Sequence, residues 1–185
     1  MSHPRGPSRL CAEYGNPQEL NGGNAEQRRL LTLPRRIPST VADVHSVLFG
    51  HEPDQIRAAR SWAWRSSGLG YDHADSLLLV LSELHTNALR HTASGLPGGT
   101  VRVDLERLPD RGCRVSVTDQ GPRPGAATTV PTPASADLFA DLVTEESGRG
   151  LDLVAALSRD WGWHRDDSGP GVTVWAEFDR PGRWV

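Results

Sequence analysis

Apolar residues recur at intervals of three and four in two stretches of the chain, which is the spacing of one face of an α-helix. The first stretch begins at Pro53 and Asp54, residues typical of a helix start, and ends at Gly68. The second follows Asp72, which can cap a helix, and ends near residues 92–95. Its apolar positions are Leu77, Val80, Leu81, Leu84 and Ala88. The pattern predicts two successive helices, each with one buried face.

Alternation of apolar and polar residues predicts strands in the rest of the chain. Residues 101–105 and 113–117 alternate on either side of a Pro-Asp-Arg-Gly turn and form a predicted hairpin. A short apolar stretch over 150–157 predicts a third helix, and two more strands follow it up to Phe178. With a further strand predicted within 37–49, the sum is an α+β fold. We expect a two-layer α/β sandwich with a mixed, mainly antiparallel sheet and helices on one face.

Two segments lack such patterns. Residues 1–36 mix Pro, Gly, Asn, Gln and Arg without an apolar period, so burial cannot offset the entropy of ordering them. They are predicted to be a mobile tail ahead of a single domain over 37–185. Residues 119–147 are rich in Pro, Ala, Thr and Gly and are too long for an ordinary connection, which predicts a lid or binding segment.

Composition narrows the function classes. The formal charge of -3 and the pI near 6.1 give no basic surplus, which disfavours a nucleic-acid partner. The sequence has no apolar run of membrane-spanning length and no secretory signal at its start, and its two cysteines form no disulfide framework, so we expect a cytoplasmic protein without membrane attachment. Every basic residue is arginine, which excludes mechanisms that need a phosphate-binding or Schiff-base lysine.

The first motif with chemical content lies on the second predicted helix, over residues 83–91, Glu-Leu-His-Thr-Asn-Ala-Leu-Arg-His. Glu83, Asn87 and His91 are four residues apart, so they form a ridge beside the apolar stripe. A carboxylate and a carboxamide one turn apart can orient a nucleophile and supply an oxygen to Mg²⁺. A solvated helix face with chance spacing explains the pattern equally well, and His85 is predicted to be a packing or surface residue.

The second motif is Asp119-Gln120-Gly121, with Gly125 beyond it, where the second strand of the hairpin ends. An aspartate there can accept a hydrogen bond from an adenine amino group, and glycines allow the backbone to approach a base closely. An ordinary Asp-x-Gly turn is the alternative interpretation.

The third motif is Gly148-Arg149-Gly150, which opens the third predicted helix. Free amides and the positive end of the helix dipole suit phosphate at such a position. Plain loop-to-helix geometry explains the glycines equally well.

In this order, the three motifs resemble the N, G1 and G2 boxes of the GHKL ATPase superfamily, which has the Bergerat fold. In its small size the chain resembles members of the bacterial anti-sigma-factor serine/threonine kinase branch of that superfamily. The resemblance covers roughly residues 45–180 and includes the closing strand with Thr173.

The resemblance implies ATP and Mg²⁺ as cofactors and assigns a role to each site residue. Glu83 would be the general base, Asn87 a Mg²⁺ ligand and Asp119 the reader of adenine. Thr173 would support the contact to the base, and Gly121 and Gly125 would shape the adenine pocket. Contacts to the phosphates would come from Gly148, Arg149, Gly150 and Leu151. The spacing of the second motif departs from the usual Asp-x-Gly-x-Gly, because Pro122-Arg123-Pro124 separates the two glycines.

The resemblance further implies a protein kinase that regulates transcription by switching between a sigma factor and an anti-sigma-factor antagonist protein. Homodimers are common in that branch. Two alternatives stay open. One is a non-catalytic, ATP-dependent protein-binding regulator, and the other is a catalytic domain detached from a histidine kinase.

Overall fold

The computed structural model of the chain describes residues 33–69, 71–109, 112–127, 131, 149–166 and 169–179. The predicted tail over 1–36 lies almost entirely outside these ranges. Of the predicted lid over 119–147, only 119–127 and 131 are described.

The described elements alternate between sheet and helix. In chain order they are β1 (Arg35–Ile37), β2 (Val44–Gly50), α1 (Asp54–Ser67), α2 (Tyr71–His91), a 3-10 turn (Ala93–Gly95), β3 (Thr100–Arg107), β4 (Cys113–Thr118), α3 (Arg149–Leu157), β5 (Asp160–Arg165) and β6 (Val172–Phe178).

The strands form one antiparallel sheet in the order β1-β2-β3-β4-β6-β5. Alternate residues of β2, β3, β4 and β6 are buried and form one hydrophobic cluster with side chains of all three α-helices. Because the helices share this cluster, they cover one face of the sheet. The α+β prediction is therefore confirmed, as is the hairpin of β3 and β4.

Helix α1 begins and ends where the sequence predicts. Pro53 is its N-cap, and Gly68 follows its last residue with φ of 67°, a left-handed conformation that favours glycine. Helix α2 begins at Tyr71, so the prediction that Asp72 caps it was wrong: Asp72 lies inside the first turn.

The strand predicted within 37–49 is two strands. β1 pairs with β2 in a hairpin, with Ile37 opposite Ser46, and residues 38–43 form the connection. Asp43 has φ of 64°, which ends the extended conformation before β2. The connection, Pro-Ser-Thr-Val-Ala-Asp, mixes apolar and polar residues without a regular period, so the pattern alone did not separate the strands. No helix in the described ranges is long and apolar enough to cross a membrane.

Candidate functional site

Helix α2 places Glu83 and Asn87 at the edge of the buried face. The five apolar positions that predicted this helix are all buried. Glu83 and Asn87 are each half-buried and lie one turn apart on the flank of this stripe. The sequence prediction that these two side chains share an edge of the helix is consistent with this placement. His91, one turn further on, is exposed.

The first turn of α3 meets these two side chains. A methyl group built on Gly150 would lie 3.1 Å from Glu83 Oε2 and 3.3 Å from Asn87 Nδ2. The first and third motifs, 63 residues apart in sequence (150 minus 87), therefore adjoin in space. Glycine at this position keeps the backbone of the α3 N-terminus close to the carboxylate and the carboxamide.

The remaining residues of the third motif are described in part. Arg149 is the first residue of α3, and Leu151 is half-buried and packs against the core. Gly148 and the Arg149 side chain lie outside the described part of the chain.

Asp119 follows β4 directly and is fixed by backbone amides. Its Oδ1 accepts hydrogen bonds from the amides of Gly121 at 2.6 Å and Val172 at 3.2 Å. Burial raises the pKa of the Asp119 carboxyl, and the nearby Asp166 raises it further, while these two amides act in the opposite direction. Both amides bond the same oxygen, so the carboxylate plane is set while Oδ2 accepts from neither of them.

Two glycines allow the chain beside Asp119 to pack tightly. A methyl group on Gly171 would lie 2.1 Å from the Asp119 carbonyl oxygen, and one on Gly121 would lie 2.6 Å from the Pro170 carbonyl oxygen. Gly121 also has φ of 82°. These contacts are with backbone, which cannot move aside as a side chain can. The structure thus gives both positions a local requirement for glycine.

Thr173 lies across from Thr118 in the sheet. Their Oγ1 atoms are 2.7 Å apart and share a hydrogen bond, and Thr173 is buried. Thr173 is two residues beyond Gly171, so it belongs to the same corner of the sheet as Asp119.

Gly125 is explained by a turn. The Ala126 amide donates to the Arg123 carbonyl at 2.9 Å, and Gly125 has φ of 80°. Pro124 followed by a glycine of positive φ is the pattern of a type II turn. Among the described residues nothing lies within 4 Å of a methyl group built on Gly125. A part for Gly125 in the adenine pocket stays a prediction.

The loop after β4 is tied to the end of α2. The Gly121 carbonyl accepts from the Ala93 amide at 2.8 Å, and Ser94 Oγ accepts from the Gln120 amide at 3.0 Å. Arg123 Nη2 donates to the carbonyl of Arg90 at 2.7 Å. The second motif is therefore fastened to the helix that carries the first.

His85 lies inside the first motif and is fully buried. Its ring packs against that of Phe49 with centroids 5.7 Å apart. Neither ring nitrogen has a hydrogen-bond partner among the described residues, and burial lowers the pKa of His85 from 6.5 to about 4. The imidazole is thus neutral at physiological pH and serves as a packing residue, one of the two roles predicted for it.

Sequence analysis gave no role to Ser94, Gln120 or the backbone of Gly171, and treated Arg123 only as a departure from a spacing. The bond from Gln120 to Ser94 joins residues 26 positions apart and the bond from Arg123 to Arg90 joins residues 33 positions apart, which no local pattern reveals. A glycine at the start of β6 was the one available signal, because glycine there marks a close backbone approach.

Comparison with known proteins identifies the domain type. The sequence model of the family described as histidine kinase-like ATPase domain matches residues 49–178. The chain is also 39% identical over 82 residues to an uncharacterized protein of Streptomyces coelicolor, a match that covers 44% of this chain and 67% of the relative.

Proposed function

The chain belongs to the histidine kinase-like ATPase domain family, and from this premise we propose that it is an ATP-dependent serine/threonine protein kinase of the anti-sigma-factor type. Membership of the family implies ATP binding. The substrate class and the regulatory role are the proposal.

The observation that carries the proposal is the meeting of Gly150 with Glu83 and Asn87. The N-terminal turn of a helix supplies free amides and positive dipole for phosphate oxygens. A carboxylate beside that turn lies where a hydroxyl group attacking the terminal phosphate would have to lose its proton. One position therefore unites an anion site with a candidate general base.

In the proposed reaction, the hydroxyl oxygen of a serine or threonine forms a bond to the γ-phosphorus of ATP. The bond from that phosphorus to the β,γ-bridging oxygen breaks, and ADP leaves. The hydroxyl proton passes to the Glu83 carboxylate. The amides of Gly150 and Leu151, with Gly148 and Arg149 before them, are assigned to the phosphate oxygens.

The side chains fit a magnesium ion. Glu83 and Asn87 offer oxygen atoms one helical turn apart, and glycine at position 150 lets the backbone of α3 come close to both side chains. Mg²⁺ prefers such oxygen ligands and retains several waters. Asn87 would hold the ion, which when bound would offset negative charge on the phosphates.

The other end of the site fits adenine. Asp119 is oriented by two amides and keeps Oδ2 clear of both, so that oxygen is assigned to the adenine amino group. Guanine has no amino group at the equivalent position, which favours ATP over GTP. Thr173 and Gly121 complete this end, Thr173 through its hydroxyl group and Gly121 through its backbone.

The partners belong to the proposal as well. A kinase of this type binds a sigma factor in one nucleotide state and phosphorylates an antagonist protein in the other, in the cytoplasm and commonly as a homodimer. A non-catalytic regulator that binds its partners in an ATP-dependent way is the second candidate. Pairing of Glu83 with an anion site favours the catalytic form, because binding alone needs no base.

Intact-protein mass spectrometry of a purified anti-sigma-factor antagonist protein, offered as the substrate, tests the proposal. After incubation with Mg-ATP, the antagonist should gain one phosphoryl group. Glu83→Gln should slow transfer by about 10² to 10⁴ while Mg-ATP still binds. Asp75→Asn is the matched control, since Asp75 is an exposed carboxylate two turns earlier on α2 and should leave the rate unchanged.

If the antagonist keeps its mass with wild type although the two proteins bind each other in the presence of ATP, the non-catalytic regulator is the correct function. Equal transfer by wild type and Glu83→Gln would remove Glu83 from the role of base.

A further inference from the structure

Arg123 reaches from the loop after β4 to the last turn of α2. Its guanidinium donates to three backbone carbonyls: Nε to Thr92 at 3.2 Å, and Nη2 to Leu89 at 3.3 Å and to Arg90 at 2.7 Å. Carbonyls in the last turn of a helix have no partner within the helix, and a cation is favourable there. The Arg123 side chain thus caps the C-terminal end of α2, the helix that carries Glu83 and Asn87.

The two ends of this contact belong to different halves of the site. Leu89 and Arg90 follow Asn87 by two and three residues, and Arg123 follows Asp119 by four. The backbone contacts of the same loop, from Ala93 to Gly121 and from Gln120 to Ser94, reach only the 3-10 turn after the helix. Among the described contacts of this loop, those of Arg123 are the ones that reach α2 itself.

We propose that Arg123 is a positioning residue that sets the separation between Asp119 and Asn87. The inference rests on the proposed function, in which Asp119 binds the adenine and Asn87 acts at the phosphates of the same nucleotide. A nucleotide that engages both halves is bound tightly only when their separation matches its length. No described hydrogen bond joins the Arg123 side chain to Asp119 or to Asn87, so Arg123 acts through the end of α2.

The insertion that separates this chain from the usual Asp-x-Gly-x-Gly spacing then has a physical reason. Pro122 and Pro124 restrict the backbone on both sides of Arg123, and Gly125 closes a turn immediately after it. The three residues between Gly121 and Gly125 hold the guanidinium toward the helix end.

The test compares two arginines that make the same kind of contact. Arg107 Nη2 donates to the Ser66 carbonyl at 3.3 Å, in the last turn of α1, and Arg107 and Arg123 are both exposed. Isothermal titration calorimetry with Mg-ATP on the full chain would compare wild type, Arg123→Met and Arg107→Met. Both variants lose one cation at a helix end, and the melting temperature should fall by a small amount in each, more in Arg123→Met because it loses three hydrogen bonds and Arg107→Met loses one.

We expect Arg123→Met to weaken Mg-ATP binding by roughly 10- to 100-fold, because the two halves no longer hold one separation. Arg107→Met should bind Mg-ATP as wild type does. The affinity for adenosine, which engages only the Asp119 half, should change by less than about twofold in Arg123→Met. The loss should be equal at about 0.05 M and 0.5 M salt, because a change of position is not screened.

Equal Mg-ATP affinity in the two variants would overturn the proposal. If the loss of Mg-ATP affinity becomes smaller at high salt, Arg123 acts on the nucleotide as a distant charge. If adenosine loses as much affinity as Mg-ATP, Arg123 is part of the adenine pocket. Either result contradicts a positioning role. Absence of Mg-ATP binding by wild type would instead refute nucleotide binding. Binding without phosphoryl transfer would refute only the kinase assignment and leave the Arg123 test intact.

Discussion

One end of the candidate site lies around Asp119 and comprises Asp119, Gly121, Gly171 and Thr173. There, backbone amides and close glycine contacts join β4 to β6. The other end lies around Asn87 and comprises Glu83, Asn87 and Gly150. There, the side chains of Glu83 and Asn87 approach the first turn of α3, and no described hydrogen bond joins them to it. We call these the Asp119 end and the Asn87 end.

The difference shows where the protein is preorganised. At the Asp119 end, the fold itself satisfies the polar groups and fixes the carboxylate before any ligand binds. At the Asn87 end, the helices bring the groups together, and a nucleotide with its metal would supply the remaining contacts. In the proposed function, the rigid end binds the base and the incomplete end binds the phosphates, which suits a site whose state changes with the nucleotide it holds.

Gly171→Ala should break the Asp119 end and have the largest effect. A methyl group 2.1 Å from the Asp119 carbonyl forces the backbones of β4 and β6 apart. We expect a loss of about 3 kcal/mol or more in the free energy of unfolding, measured by urea denaturation. Gly169→Ala is the control, because no atom of the described residues lies within 4 Å of a methyl group built there. Similar stability of the two variants would show that the contact at Gly171 relaxes without cost.

A second prediction concerns the helix of the Asn87 end, where His85 is buried without a described partner. Its pKa falls from 6.5 to about 4 on folding, so the unfolded chain binds the proton between these values. Stability is therefore full above pH 6.5 and is lost as the pH falls toward 4, by about 3 kcal/mol at about 1.4 kcal/mol per pH unit.

His85→Leu should remove this part of the pH dependence and leave stability at pH 7 equal or higher, because an apolar side chain needs no partner there. Urea denaturation of wild type and variant between pH 7 and 4.5 measures the difference. His164→Gln, at an exposed histidine of β5, should keep the wild-type profile. Parallel profiles for wild type and His85→Leu would contradict the prediction.

Gly150→Ala should affect the Asn87 end with the smallest change in stability. The added methyl would lie 3.1 Å from Glu83 Oε2, an atom at the end of a flexible side chain that can move aside. We expect the free energy of unfolding to change by about 0.5 kcal/mol or less. The affinity for Mg-ATP should fall about tenfold, because the added methyl group narrows the space proposed for the phosphates. Calorimetry with the Gly169→Ala control checks this. Unchanged affinity for Mg-ATP would show that the phosphates do not bind beside Gly150.

Much of the fold could be predicted because periodicity reports burial. The stripe from Leu77 to Ala88 fixed which face of α2 is buried, and Glu83 and Asn87 followed as its flank. Asp119 was predicted at a strand end from the alternation of β4 alone. These features depend on residues close together in the chain.

What the sequence did not reveal depends on distant residues. The hydrogen bond between Val172 and Asp119 and the contacts of Arg123 with Leu89 and Arg90 arise only when the sheet and α2 are assembled. The separate strands β1 and β2 were missed because residues 38–43 turn the chain without a distinct pattern of apolar and polar positions. The start of α2 was misplaced because an aspartate suits both a cap and a first turn.

The position of β6 has a consequence for the order in which the molecule is made. Strands β3 and β4 form a local hairpin, whereas β2 pairs with β3, Val47 with Val103, and β4 pairs with β6, Val117 with Val174, across long separations. Contacts of such separation form late in folding. During synthesis, the helix with Glu83 and Asn87 emerges well before the strand that orients Asp119. A nascent chain would therefore expose the helix with Glu83 and Asn87 before β6 is available to orient Asp119, and the proposed ATP site would be complete only after β6 has left the ribosome.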